Sequence, residues 1–253
     1  MRDRGGVAVV TGGAGGLGRA LQARLEAAGF DVVPVDLAGT GERLDVTDAA
    51  ACRDLAGRLR PAVWVNAAGL TGRGDFLEST DAEVERLVAV NLVGVVHGTR
   101  AAATTMLEDG RGTILNVASL AGWAPTPHIA LYSATKHGVR AFSVAVAAEL
   151  RSTPVRVCCL LPDGFRSPMV HVDDPRHVMS FTGARLLECD EVAAAAMALL
   201  DSRRVLASVP ARRGATVRLL GIAPQLSFAL LPAVERRARR HQAREQARRR
   251  SEG

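Results

Sequence analysis

The chain has 253 residues, 48% of them hydrophobic but only 4% aromatic, so a substantial core must be built from Ala, Val and Leu. The net charge of +6 describes a tail, because residues 233–253 hold eight Arg and three Glu and leave the body nearly neutral. Four cysteines without metal-ligand or disulfide-framework spacing, and no signal-peptide segment before the first strand pattern, argue against a metal centre or a secreted scaffold and for a reducing cytoplasm.

Residues 7–11 read as a strand and 17–28 as a helix ended by Gly29. Residues 32–36 are a second strand, 43–45 a short third one and 47–59 a helix. Residues 62–66 form a fourth strand, apolar through Val63, Trp64 and Val65. A long helix over 81–107 has its cap at Thr80 or Asp81. Strands over 113–117, 155–161 and 205–209 alternate with helices at about 129–151 and 190–201. Cys158 and Cys159 fall inside an apolar run and are expected to be buried thiols; Cys52 and Cys189 stand alone. Strand–helix alternation with wholly apolar strands predicts an α/β fold, a doubly wound parallel sheet with helices on both faces. With no repeat or low-complexity linker, one domain over 1–209 is expected, followed by an apolar and then Arg-rich extension over 210–253.

The turn Thr11-Gly12-Gly13-Ala14-Gly15-Gly16-Leu17-Gly18 joins the first strand to the first helix. Glycines there permit a tight turn and let backbone N–H groups approach a pyrophosphate at the positive end of the helix. Asp36 ends the second strand about 20 residues on, where a ribose-binding carboxylate belongs. Its charge would repel a 2′-phosphate and no Arg or Lys follows at once, so NAD is expected over NADP. The plainer alternative is an ordinary turn residue after a strand.

Tyr132 and Lys136 are the only tyrosine and the only lysine, against 31 arginines. On a helix, positions i and i+4 share one face. An ammonium there can lower the pKa of a phenol toward the range of a general base, and its compact charge suits this better than a guanidinium.

With the glycine turn, the strand-end Asn66-Ala67-Ala68-Gly69, Asn91, Ser119 and Tyr132-Ser133-Ala134-Thr135-Lys136 in view, the chain resembles the classical short-chain dehydrogenase/reductase (SDR) family from about residue 7 to 209. The resemblance implies a Rossmann-type seven-stranded parallel sheet, a nicotinamide cofactor and interconversion of an alcohol and a ketone or aldehyde. It makes Tyr132 the acid/base and gives Lys136 the nicotinamide ribose. Ser119 would hydrogen-bond the substrate oxygen, and Asn91 would hold a water linking Lys136 to solvent. The family's adenine contact falls on Asp45 and Val46, although Asp45 or Thr47 could also cap the next helix. The strap Asn66, Ala67, Ala68 and Gly69 would work largely through its backbone, with Ala67 standing where the family often has a second Asn. Pro162, Phe165 and Ser167 would line the carboxamide. Asp163 stands where the family has glycine, which leaves the local backbone open.

Residues 163–189 are the expected substrate-covering loop. Met169, Val170, His171, Val172, Met179 and Phe181 there, with Trp123 near Ser119, suggest an apolar substrate. The segment 216–231 is too short and too broken to span a membrane. The Arg-rich 235–250 run is either a solvated tail or a contact with an anionic membrane, and its lack of aromatics argues against nucleic acid. The family implies a homodimer or homotetramer built through two long helices. A non-catalytic dinucleotide-binding regulator would share the fold but has no need of Asn91, Ser119, Tyr132 and Lys136 together. A sugar-nucleotide epimerase or dehydratase would need a larger C-terminal domain.

Overall fold

The computed structural model describes residues 5–39, 41–72, 76–170 and 172–252. The first four residues and His171, both part of the sequence reading, lie outside them. All seven strands pair in parallel, in the spatial order β3 (Glu42–Arg43), β2 (Asp31–Asp36), β1 (Val7–Thr11), β4 (Val63–Asn66), β5 (Gly112–Val117), β6 (Val155–Pro162) and β7 (Leu206–Val209). Side chains alternate across the pleat. Ala8, Val10, Val65 and Leu115 face Leu21 and Leu25 of α1 (Gly16–Ala27) and Val192 and Leu199 of α6 (Cys189–Asp201). Val9, Trp64 and Ile114 face the opposite layer, made by α2 (Ala49–Leu59), α4 (Gly94–Glu108) and α5 (Ala130–Glu149). Burial on both faces explains why the strands read as continuous apolar runs. Cys52, Cys158 and Cys159 are buried free thiols, as the apolar run predicts for the last two.

Two local expectations need correction. The cap of α2 is neither Asp45 nor Thr47 but Asp48, whose carboxylate accepts from the N–H groups of Ala50 and Ala51 at 2.8 and 3.0 Å. The long helix over 81–107 is also not continuous. It starts as α3 (Asp81–Val88), where Thr80 and Glu83 close a capping box, widens into a π turn over Ala89–Val93, and resumes as α4. By length and composition Asp81–Glu108 could cross a membrane, yet 44% of its most apolar window is buried against the protein.

The extension is ordered into α7 (Ala211–Ile222) and α8 (Pro224–Glu252). Leu231, Val234 and Ala238 recur at helical spacing and pack on Val172, Val178, Phe181 and Leu186 from the loop after β6. Gln242, only 5% exposed, donates to the carbonyls of Val172 and Asp174 at 2.9 and 2.8 Å. An ion pair between Arg166 and Glu245 joins the same two segments. The arginines of α8 are exposed to solvent, as a solvated run predicts, but the helix is not a free tail: one apolar stripe docks it on the protein.

Candidate active site

Strand order reverses between β1 and β4, and a crevice opens beyond their C-terminal ends, the usual ligand position in a doubly wound sheet. Thr11 does not line it. Its hydroxyl accepts from the N–H groups of Ala67 and Ala68, both at 3.1 Å, and so fixes the strap to the glycine turn. Gly12 has φ +72°, and a Cβ there would come within 2.8 Å of the Ala68 nitrogen. A Cβ on Gly18 would collide with the Gly12 carbonyl. These two contacts require glycine.

The crevice, about 420 Å³, is floored by Gly12, Gly15, Gly16, Leu17 and Gly18. Asp36, Asp45 and Val46 stand at one end, Phe165 and Ser167 at the other, with Ala67, Ala68 and Gly69 between. Asp36 accepts from Ala14 N at 3.0 Å through one oxygen and from Leu37 N at 2.7 Å through the other, tying β2 to the turn. Asp45 is exposed and accepts from the Thr47 hydroxyl and N–H, which hold its carboxyl below the usual range. The donor-rich helix start, the carboxylate after β2 and the absence of room for side chains on the turn fit a dinucleotide.

Asn66 is not on the crevice wall. It is buried, accepts from Trp64 Nε1 at 2.8 Å, and donates to Asn116 Oδ1 at 2.8 Å and Thr99 Oγ1 at 3.1 Å. The strap thus meets the crevice through its other three residues. Asn91, fully buried, sits in the π turn. Its amide accepts from Leu70 N at 2.7 Å and donates to Leu70 O at 2.8 Å, with a longer contact to Thr135 Oγ1 at 3.4 Å. The bulge aims this side chain at the strap, next to Lys136: a Cβ on Gly69 would lie 3.4 Å from Asn91 Oδ1 and 3.8 Å from Lys136 Nζ.

Tyr132 and Lys136 occupy successive turns of α5, with Nζ 5.5 Å from the phenol ring centre. Lys136 is buried, donates to Val117 O at 3.0 Å, and has its pKa pushed down to about 8 by burial. The phenol is pushed up to about 12, also by burial, against the opposing pull of a hydrogen bond from Ser119. The lowering expected from Lys136 is not found: burial sets the direction, and Ser119 is what opposes it.

A second cavity, about 190 Å³, opens on the far side of Tyr132. Ser119, Tyr132 and Pro162 line it, so Pro162 lies on this side and not on the crevice. Tyr132, Phe165, Ser167 and Met169 border both spaces. Met169, Val170 and Met179 line the second cavity as expected, whereas Val172 and Phe181 pack on α8. Trp123 is absent from it as well. The Arg140 and Arg218 guanidinium groups lie 4.4 and 5.0 Å from its ring centre, and its Nε1 donates to Ser208 Oγ at 3.1 Å. The sequence reading missed that Ser227, Leu230, Leu231 and Val234 of α8 form part of the wall. Their i, i+3, i+4, i+7 spacing shows a helix face but not what it covers.

The family model for short chain dehydrogenases matches residues 6–177. The chain is 36% identical over 190 residues to 2,5-dichloro-2,5-cyclohexadiene-1,4-diol dehydrogenase LinX of Sphingobium indicum, covering 66% of this chain and 76% of that one. Among solved structures it superposes on a short-chain dehydrogenase/reductase of Burkholderia phymatum in complex with NAD, at TM-score 0.79 and 25% identity over 90% of this chain and 96% of that one. It also superposes on a 2-deoxy-D-gluconate 3-dehydrogenase-like protein of Agrobacterium tumefaciens with bound NADP, at TM-score 0.69 and 26% identity over 76% and 87%. The chain belongs to the short-chain dehydrogenase/reductase family. It is an oxidoreductase of alcohols and carbonyls that uses a nicotinamide dinucleotide.

Proposed function

We propose that the protein interconverts an apolar secondary alcohol and its ketone with NAD as the preferred cofactor, with Tyr132 as acid/base. The observation that carries this reading is the position of Tyr132, shared between the dinucleotide-shaped crevice and the apolar cavity, with Ser119 on the wall of the same cavity. A bound nicotinamide supplies or accepts the hydride. In oxidation Tyr132 must act as its phenolate, Oη taking the substrate hydroxyl proton, and Ser119 Oγ hydrogen-bonds the oxygen left behind. In reduction, Oη gives that proton back, a task suited to a phenol whose burial keeps its proton on. Lys136 contributes its charge one helical turn away, and Asn91 holds the strap beside it.

Gly12, Gly15, Gly16, Leu17, Gly18, Ala67, Ala68, Gly69, Val46, Phe165 and Ser167 are assigned to the cofactor, with Thr11, Asn66 and Pro162 acting behind or beside them. Asp36 carries the preference for NAD, since a 2′-phosphate would meet its carboxylate. Residues 1–209 form the catalytic body, and 210–253 add a wall to the substrate cavity. The protein is assigned to the cytoplasm as a homodimer or homotetramer. Exposed Leu219, Ile222, Leu226 and Phe228, on α7 and the start of the arginine-rich α8, support peripheral contact with an anionic membrane.

The test is turnover of a panel of secondary alcohols and ketones with NAD(H) and NADP(H), in wild type and Tyr132→Phe. A loss in kcat of about 10²–10⁴-fold in the folded variant is expected, with NAD(H) preferred. Activity surviving in Tyr132→Phe would overturn the acid/base assignment.

A further inference from the structure

The substrate cavity is apolar on most of its wall, with Leu120, Ile129, Val217, Leu220, Leu230 and Leu231 among its residues. One region breaks the pattern. Asp163, at the end of β6, and Arg213, in the first turn of α7, both line the same cavity as Ser119 and Tyr132. The Asp163 side chain is 11% exposed, and its Oδ2 lies 3.4 Å from Arg213 Nε. Its Oδ1 already accepts from Gly164 N at 3.0 Å. Gly183 makes room for the carboxylate, since a Cβ there would sit 2.7 Å from Oδ2. Arg213 Nε is buried and, despite the ion pair, has no aligned hydrogen-bond acceptor.

A buried N–H donor without an acceptor is destabilising, and so is a carboxylate oxygen in an apolar wall without a full set of donors. A hydroxyl suits the pair: it accepts from the Arg213 guanidinium, whose side chain is 28% exposed on the cavity wall, and donates to Oδ2. A ketone oxygen could only accept. A carboxylate would meet Asp163, which already balances the guanidinium charge.

We propose that Asp163 and Arg213 form a second recognition point in the substrate cavity, reading a hydroxyl remote from the reacting carbinol, so that the substrate is an apolar diol or hydroxy-ketone. This rests on the dehydrogenase reading of the Tyr132 site and deepens it. Discrimination is strong in such a site, because a substrate without the second hydroxyl covers the Asp163–Arg213 pair with apolar surface and leaves its remaining hydrogen-bonding capacity unused.

The test uses full-length protein with cyclohexanol, the 1,2-, 1,3- and 1,4-cyclohexanediols, and 3-hydroxycyclohexanecarboxylate as probes. The kcat/KM values with NAD are measured together with Kd by calorimetry on NADH-loaded protein. In wild type the best diol should exceed cyclohexanol by about tenfold or more in both measures. In Arg213→Met and in the isosteric Asp163→Asn, each checked for folding by its melting curve, that ratio should fall to near one. A pair that merely fixes α7 to β6 would change the melting temperature and leave the ratio alone. If no alcohol is oxidised but the diol still binds preferentially and loses that preference in the variants, the catalytic reading fails and this one stands. A wild-type ratio near one, an unchanged ratio in either folded variant, preference for the hydroxy acid, or no binding of any probe would overturn it.

Discussion

At Lys136, burial works against charge. The ammonium has one backbone acceptor, Val117 O, and burial pushes its pKa down to about 8, below the ordinary value of 10.5. The folded state therefore holds fewer protons than the unfolded chain between roughly pH 8 and 10.5, and this group makes stability rise with pH across that window. Below pH 8 its burial is a standing cost on the order of a few kcal/mol. Tyr132 acts in the opposite sense higher up: its raised pKa favours the folded state below pH 10, and that contribution is lost as pH climbs toward 12. Lys136→Met should consequently melt at a higher temperature than wild type at pH 7, with the difference shrinking by pH 10, while turnover falls. Melting curves from pH 7 to 10 check this, and a difference independent of pH would refute the charge-burial account.

Among the elements, the π turn and α8 shape the site most. The turn rotates Asn91 inward onto Leu70, where a regular helix would place the following residues differently. Helix α8 holds the loop after β6 through Gln242, which bridges two of its carbonyls. Gln242→Leu leaves both carbonyls without that donor, so it should lower Tm by about 5 °C and raise the substrate KM severalfold, with a smaller change in cofactor Kd. If Tm and KM both stay at wild-type values, the Gln242 bridge is not what holds the loop. The break at 89–93 was not legible in the sequence, because a π bulge adds one residue per turn without disturbing the apolar pattern on either side. The Asp48 cap was legible in kind but misplaced, since Asp45, Thr47 and Asp48 are all capping residue types within four positions.

Among the described residues, Leu219, Ile222, Leu226, Phe228 and Leu230 are exposed apolar side chains on the C-terminal helices, while Phe76 and Leu77 are as exposed elsewhere. Leu219, Ile222 and Phe228 are 69%, 72% and 68% exposed, close to an arginine-rich helix. If this surface meets an anionic membrane, full-length protein should float with vesicles of phosphatidylcholine and phosphatidylserine and not with phosphatidylcholine alone. The double substitution Ile222→Asp and Phe228→Asp should abolish flotation. Equal behaviour of the two proteins would remove the membrane from the account. The same helices line the substrate cavity, so truncation at 209 would confuse membrane contact with loss of the cavity wall.

The amino-acid sequence by itself determined the sheet, the glycine turn, Asp36 and the Tyr132–Lys136 pair. Each of these depends on local spacing: a period of two or of 3.6, a turn between strand and helix, a single helical turn. Only the tertiary structure decided that Asn66 braces from behind the crevice, that Trp123 packs with two arginines, and that α8 joins the cavity that Asp163 and Arg213 also line. Those placements bring together residues far apart in the chain, such as Asp163 and Arg213, 50 positions from each other. Which faces meet is settled by packing two surfaces, and spacing along one helix or strand defines only one of them.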